Sequence, residues 1–277
     1  MTTNNSALKT APAFAARHLL LMALTLLAVF PLYWMVISSF KGPGEILGAA
    51  LLPRVFTTEN YSFAFKEMPI GKMLVNSFIA AFVIAAVQIC TALLAAYGLT
   101  RWDFRGKSVL YGLLTFSWII PFQAIMIPNY VQINAWGLKG SLFAIALPYL
   151  ASAFSCISMY QAFQSFPRAL IDAARMDHSS ELQILFNIIL PNMRASIASL
   201  AILLFINAWN EYMWPMLVVN DLESSPIQIG LKAFVGSDTN MWGSLMAATT
   251  VSCLPILTIY MLMQRNIINS FMKWGIK

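Results

Sequence analysis

Apolar residues gather along the chain into six runs, near 19–40, 73–99, 108–131, 141–163, 196–219 and 243–264. Each approaches or exceeds the roughly 20 residues that an α-helix needs to cross a hydrocarbon layer. The pattern predicts an all-α membrane protein of six transmembrane helices. The first run, HLLLMALTLLAVFPLYWMVISSF, is far longer than a signal-peptide core and no small-residue cleavage site follows it, so it is expected to stay as an anchor. The expected organisation is a cytoplasmic N-terminal segment at 1–18, a first transmembrane helix at 19–40, an extracytoplasmic loop at 41–72, a five-helix core at 73–264 and a cytoplasmic tail at 265–277.

One polar segment inside that core, 164–195, is helical in period without being apolar enough to span. It reads QSFPRALIDAARMDHSSELQILFNIILPNMRA, and short helices at or below the cytoplasmic face are expected from it. Pro167 suits a helix start, and Arg168 to Met176 are good helix formers. Ala173 and Ala174, flanked by Asp172 and Arg175, give that helix a smooth surface for close approach. A turn is expected at Asp177 and His178. Ser179 is then placed to cap a second helix with Glu181 in its first turn, and Pro191 to interrupt that helix before the fifth span. Such a helix-turn-helix fits a docking element for a peripheral subunit, and equally an amphipathic connector resting on lipid head groups.

Charge assigns the sides. With the N-terminus inside, the inner segments carry a net +7, the outer segments zero, and Glu211 within the membrane −1, matching the chain's +6. Basic residues therefore report topology, and the high pI has no basic stripe that would bind nucleic acid. Composition agrees: 59% of the 277 residues are apolar and only 10% charged, too few for an ordinary soluble enzyme. The three cysteines, Cys90, Cys156 and Cys253, lie in apolar runs without metal-ligand spacing and are expected to be small buried hydrophobes.

The inner loop resembles the coupling loop, or EAA loop, of the membrane permeases of bacterial ATP-binding-cassette importers. That pattern is Glu-Ala-Ala, three residues, Gly, about nine residues and Ile-x-Leu-Pro. Here Asp172, Ala173 and Ala174 are followed by Arg175, Met176 and Asp177, then by His178 where Gly is usual, and later by Ile188, Ile189, Leu190 and Pro191. Further stretches, FPLYWMVISSFK (30–41), ENYSFAF (59–65), NSFIAAF (76–82), AAYGLTRWDFRGK (95–107) and INAWNEYMWP (206–215), resemble the carbohydrate-importer branch, in particular the subunit type of the maltose permease G protein. The resemblance implies the type I importer fold with both termini cytoplasmic in the bacterial inner membrane. It further implies a second permease as heterodimer partner, two copies of a cytoplasmic ATPase that bind ATP and Mg, and an extracytoplasmic solute-binding protein. Coupling to the ATPase would fall to Asp172, Ala173, Ala174, Arg175, Asp177, His178, Leu190 and Pro191.

No nucleotide site is expected in this chain. Gly106, Lys107 and Ser108 supply the end of a phosphate loop, but Arg101 stands where its first Gly is required and no strand precedes it. No catalytic or metal-ligating residue is expected either. Glu211 is costly within a span, at about 2.5–3.5 kcal/mol near a helix centre, so it is expected to face the interior or a water-filled cavity. With Asn207, Trp209, Asn210 and Tyr212 it offers the aromatic faces and polar groups that contact sugars. The same residues also suit a structural role, with Asn210 and Glu211 joining helices and Trp209 and Trp214 as interfacial anchors. The outer segment 220–242, with Gly230, Gly236 and Ser237, fits either a mobile insert that reaches a docked binding protein or a plain surface loop. A secondary transporter or channel working without an ATPase is the alternative, weakened by Glu211 standing nearly alone as an intramembrane charge and by the lack of an internal repeat. An intramembrane enzyme is disfavoured because His18 and His178 both lie outside the bundle. Which solute is carried cannot be read.

Overall fold

The protein is described by a computed structural model covering the backbone of residues 5–236 and 241–275, with side chains from 16 to 264 in that range and at Phe14. Ser237, Asp238 and Lys277, and the side chains of Lys9, Arg265 and Lys273, lie outside the described residues. All regular structure among the described residues is helical. Residues form two compact units, Met1–Glu67 with Phe234–Val251, and Met68–Ala233 with the segment from Ser252 onward.

In the first unit, α1 (Asn5–Ser39) and α2 (Glu59–Glu67) flank an irregular segment, and the start of α13 (Trp242–Gly275) joins them. The span Ala16–Ser39 buries nothing in its most apolar stretch. A helix apolar all round and unburied within its own chain is matched to lipid or to another subunit. Its C-terminal end is tied down. Asn60 donates to the carbonyls of Ser39 and Lys41 at 2.9 and 2.8 Å, and Lys41, fully buried, donates to the Ala50 carbonyl while its ammonium lies 3.9 Å from the Trp34 ring centre.

The second unit is built around α3 (Ile70–Arg101), which packs along α7 (Ala153–Gln164) and α10 (Leu190–Trp209). Ser77, Ala81 and Ala85, then Ala92 and Ala96, recur every four residues and are buried. Small side chains at that spacing let helix backbones approach closely where lipid supplies no hydrophobic drive. Cys156 is buried as expected, but Cys253 is half-buried and Cys90 exposed on α3.

Among the described residues, four helices are long and apolar enough to span a membrane: Ala16–Ser39, Ile70–Arg101, Glu181–Trp209 and Trp242–Gln264. Two bent pairs raise the number to six if each counts as one span. The run expected as a straight span at 108–131 is α4 (Lys107–Ile119) and α5 (Phe122–Ala135), which meet at 92°. Pro121 accounts for the break: it forbids the α region to Ile120, which is extended at φ −70 and ψ 117, and it cannot donate to the preceding turn. The fourth run is likewise α6 (Leu142–Ala146) with a tight turn at Leu147–Tyr149, bent by 50° from α7. The carbonyls freed at this break are served by side chains. Gln88 donates to the Tyr149 carbonyl, and the Trp214 indole N–H donates to the Ala144 carbonyl at 3.0 Å. This accounts for a buried amide in the middle of an apolar helix.

The fifth span begins and ends earlier than its apolar run. It starts at Glu181 as α9 (Glu181–Gln183), passes through a π-helical turn at Ile184–Ile189 and continues as α10 to Trp209, followed by α11 (Met213–Val218) and α12 (Ile227–Ala233). Pro191 does not interrupt it. It lies in the first turn of α10, where the wider π-helical turn before it absorbs the missing N–H.

Candidate functional site

The segment 168–191 is laid out by its own local chemistry. α8 (Arg168–Met176) starts after Pro167, in extended conformation, and ends in a Schellman turn. The Ser179 N–H donates to the Ala174 carbonyl and the His178 N–H to the Arg175 carbonyl, both at 3.0 Å. His178 takes the left-handed conformation at φ 56 and is the non-glycine residue with positive φ among those described. This is the position where the importer pattern has Gly, and the reason for Gly there is now visible. Ser179 is thereby committed to closing α8. Capping of the next helix falls to Ser180, not to Ser179 as expected, through a reciprocal box in which its hydroxyl accepts from Gln183 N–H and its own N–H donates to Gln183 Oε1.

The two alanines part company. Asp172, Ala173, Arg175, Met176, Asp177 and His178 are exposed, whereas Ala174 is 5% exposed, turned into its own chain where α8 packs on the π-helical turn. Close approach to an external partner is therefore available at Ala173, while Ala174 seats α8 on the bundle. Leu190 is half-buried and Pro191 exposed.

An ion-pair network ties this segment to α3. The Arg101 guanidinium forks onto the Glu181 carboxylate, Nε to Oε2 at 2.7 Å and Nη2 to Oε1 at 2.6 Å. The Tyr97 hydroxyl donates to the same carboxylate. Arg175 lies 4.0 Å from Glu181 and 3.5 Å from Asp172. A polar cavity of about 500 Å³ beside α8 is lined by Arg101, Lys107, Arg168, Asp172 and Arg175 among others. Arg101 and Tyr97 were missed in the sequence, where Glu181 showed only as an acidic residue in a first helical turn. An Arg closing one span and a Glu opening another on the same side was the available signal. Near them, Gly106 is left-handed at φ 93 and precedes α4, and Lys107 pairs with Asp103 at 2.8 Å. That hydrogen bond and charge hold the Asp103 carboxyl below its ordinary range. The Gly106-Lys107-Ser108 triplet is a helix start.

The second cluster lies at the other end of α10. Asn207 and Glu211 line a cavity of about 280 Å³ together with Gln88, Trp118, Tyr149, Ser152, Phe154 and the apolar Ile84, Leu204 and Ala208. Trp118 and Phe154 rings sit 5.5 Å apart, and the buried Tyr149 hydroxyl, close to the Glu211 carboxylate, makes no hydrogen bond of normal geometry among the described residues. Glu211 also accepts from the Trp214 N–H at 3.2 Å, capping α11. The other predicted members do not line this space. Trp209 is 2% exposed and stacked on Phe205, Asn210 donates to the Ile206 carbonyl, and the Tyr212 hydroxyl donates to the Met216 sulfur. Trp209 and Trp214 are both buried within the chain, so neither is an interfacial anchor. Nor is the segment 220–242 a free loop up to residue 233. Glu223 pairs with Lys72 at 2.9 Å, Asn76 donates to the Glu223 and Ser225 carbonyls, Ser77 accepts from Ile227 N–H, and Gly230 sits in α12 against Met73.

Comparison with known proteins agrees with this architecture. Residues 88–273 match the family described as binding-protein-dependent transport system inner membrane component. The arabinooligosaccharides transport system permease protein AraQ of Bacillus subtilis is 28% identical over 95% of both chains. The diacetylchitobiose uptake system permease protein NgcG of Streptomyces coelicolor is 30% identical over 92% of this chain and 86% of its own. The sn-glycerol-3-phosphate transport system permease protein UgpE of Rhizobium meliloti is 30% identical over 90% and 92%. Among solved structures, a bacterial ABC transporter involved in the import of the acidic polysaccharide alginate superposes with a TM-score of 0.80 at 22% identity, covering 96% of this chain and 99% of that one. The fold and the segment after α7 thus define a permease of the ABC importer type. The chain belongs to the binding-protein-dependent transport family and is an inner-membrane component.

Proposed function

We propose that the chain is one half of the translocation pathway of an ATP-driven importer for a sugar or related solute: a di- or oligosaccharide, a polyol or a glycerol-phosphate-type compound. It works as a heterodimer with a second permease. Two copies of a cytoplasmic ATPase supply the energy, binding ATP and Mg that this chain does not hold, and a solute-binding protein delivers the solute from outside. The printed names of the relatives, covering arabinooligosaccharides, diacetylchitobiose, lactose and sn-glycerol-3-phosphate, support the solute class. The basic-residue asymmetry supports cytoplasmic termini and a cytoplasmic 164–195 loop.

One observation carries the coupling role: α8 presents Asp172, Ala173 and Arg175 outward and is closed by a left-handed residue at the position of the pattern's Gly. In this reading α8 seats in a cleft of an ATPase subunit. Closure of the two ATPase subunits on ATP displaces it, and the π-helical turn and Pro191 pass the displacement into α10, where Asn207 and Glu211 border the pathway. Asp177 and His178 set the turn, and Leu190 the packing, that keep the lever stiff. Asn207 and Glu211 form the pathway wall, and Trp209, Asn210 and Tyr212, which do not line that space, hold the end of α10 that carries them. The experiment is reconstitution in proteoliposomes with the partner subunits and uptake with and without ATP. Strict ATP dependence, lost in Ala173→Asp, is expected; uptake driven by an ion gradient alone would refute the reading.

A further inference from the structure

The lever described above reaches α10 along the chain itself, but the Arg101–Glu181 pair reaches elsewhere. Glu181 opens the fifth span directly behind the Schellman turn, and its carboxylate is held from α3, the helix around which the second unit is built. Three features set this contact apart from an ordinary surface ion pair. It is bidentate, and two parallel N–H···O bonds fix orientation as well as distance. The Arg101 side chain is only 16% exposed, and Glu181 is 39% exposed. Tyr97, one turn earlier on the same face of α3, donates to the Glu181 carbonyl at 3.2 Å as well as to its carboxylate, so side chain and backbone are both gripped. On the far side, Arg175 bridges Glu181 to Asp172, carrying the network onto α8. Tyr97 itself packs against the Trp102 and Phe163 rings, which limits its rotation.

We infer that Arg101 and Glu181 are positioning residues forming a strut that makes α8 and the cytoplasmic end of α3 move as one body, so that coupling-helix displacement enters the bundle through α3 as well as through α10. This rests on the proposed docking of α8 on an ATPase. Whatever such a partly buried pair adds to stability, holding two elements in fixed geometry is what a bidentate pair does well. Lys at 101 keeps the charge and loses the fork.

The test uses the complete reconstituted transporter with its ATPase subunits. Arg101→Gln, Arg101→Lys and Glu181→Gln should each lower solute moved per ATP hydrolysed by about 5- to 150-fold, the range of a typical coupling energy, with the ATPase still co-purifying. The reversed pair Arg101→Glu with Glu181→Arg should recover most of the loss. Spin labels at Leu94→Cys and Met176→Cys, with the three native cysteines replaced, should keep one distance between nucleotide-free and ATP-bound states, and that distance should become nucleotide-dependent in Glu181→Gln. Wild-type transport stoichiometry in the single variants with ATPase bound would overturn the strut and leave α8 docking intact. Reduced yield of folded complex without any change in stoichiometry would also overturn it, by making the pair merely structural. A wild-type chain that retains no ATPase would overturn strut and docking together.

Discussion

The two ends of the Glu181–Trp209 span hold polar side chains in opposite ways. At the first end Tyr97, Arg101 and Arg175 converge on Glu181 while Arg175 also meets Asp172, and the donors and acceptors are matched across three helices. At the other end Asn210 and Glu211 bond chiefly to backbone at the helix ends, Asn210 also accepting from Gln228 of α12 at 3.4 Å, while the Tyr149 hydroxyl makes no hydrogen bond of normal geometry among the described residues beside a cavity of about 280 Å³. A matched network resists displacement of one element against another. An unmatched set around open space keeps polar groups available for water or solute. The same helix is thus built stiff where force is proposed to enter and open where a solute is proposed to pass.

Substitutions break this comparison at either end. The largest effect is expected from Ala173→Asp, which places a charge on the exposed face of α8: uptake should fall about 100-fold or more, the scale of losing a central interface residue, while the protein remains folded in the membrane. Ala174→Asp separates the two alanines, because it buries an unpaired carboxylate and should reduce the folded protein itself by about 3 kcal/mol or more, measured as loss of monodisperse complex. At the far end, Trp214→Phe leaves the buried Ala144 carbonyl without its donor and should cost about 1–3 kcal/mol in thermal stability of the purified chain. Glu211→Gln should shift the apparent affinity for solute several-fold with solute moved per ATP unchanged. An altered stoichiometry at constant affinity would instead assign Glu211 to coupling. The smallest effect is at the turn: His178→Gly relieves a left-handed backbone and should stabilise by about 1 kcal/mol without loss of ATPase binding, whereas a β-branched residue there should destabilise.

Much of segment 164–195 was legible because local rules decide it. Pro167 and the helix-forming run fixed α8 at Arg168–Met176, and the spacing to His178 located the turn. The cap was read one residue early because the Schellman closure takes Ser179 for the preceding helix, a choice that depends on His178 adopting positive φ. Apolar period located the apolar runs, which make six spans only if each bent pair is one, but placed their breaks poorly. A hydrophobic run looks the same whether straight or bent by 92° at Ile120–Pro121. What periodicity cannot carry is pairing between distant positions, so Gln88 with the Tyr149 carbonyl, Trp214 with the Ala144 carbonyl and Arg101 with Glu181 all escaped it. Trp209 and Trp214 were misplaced for the same reason, since amphipathic aromatic residues fit a membrane interface and a packed interior equally well on composition alone.

The central claim is that the exposed face of α8 sits in a cleft of an ATPase. A photo-cross-linking amino acid at position 173, activated in membranes of cells producing the whole transporter, tests it most directly. The account predicts a single adduct with the mass of this chain plus one ATPase subunit, diminished when Ala169 on the same helix is replaced by Asp. Adducts with lipid, or none despite an assembled and active transporter, would contradict it.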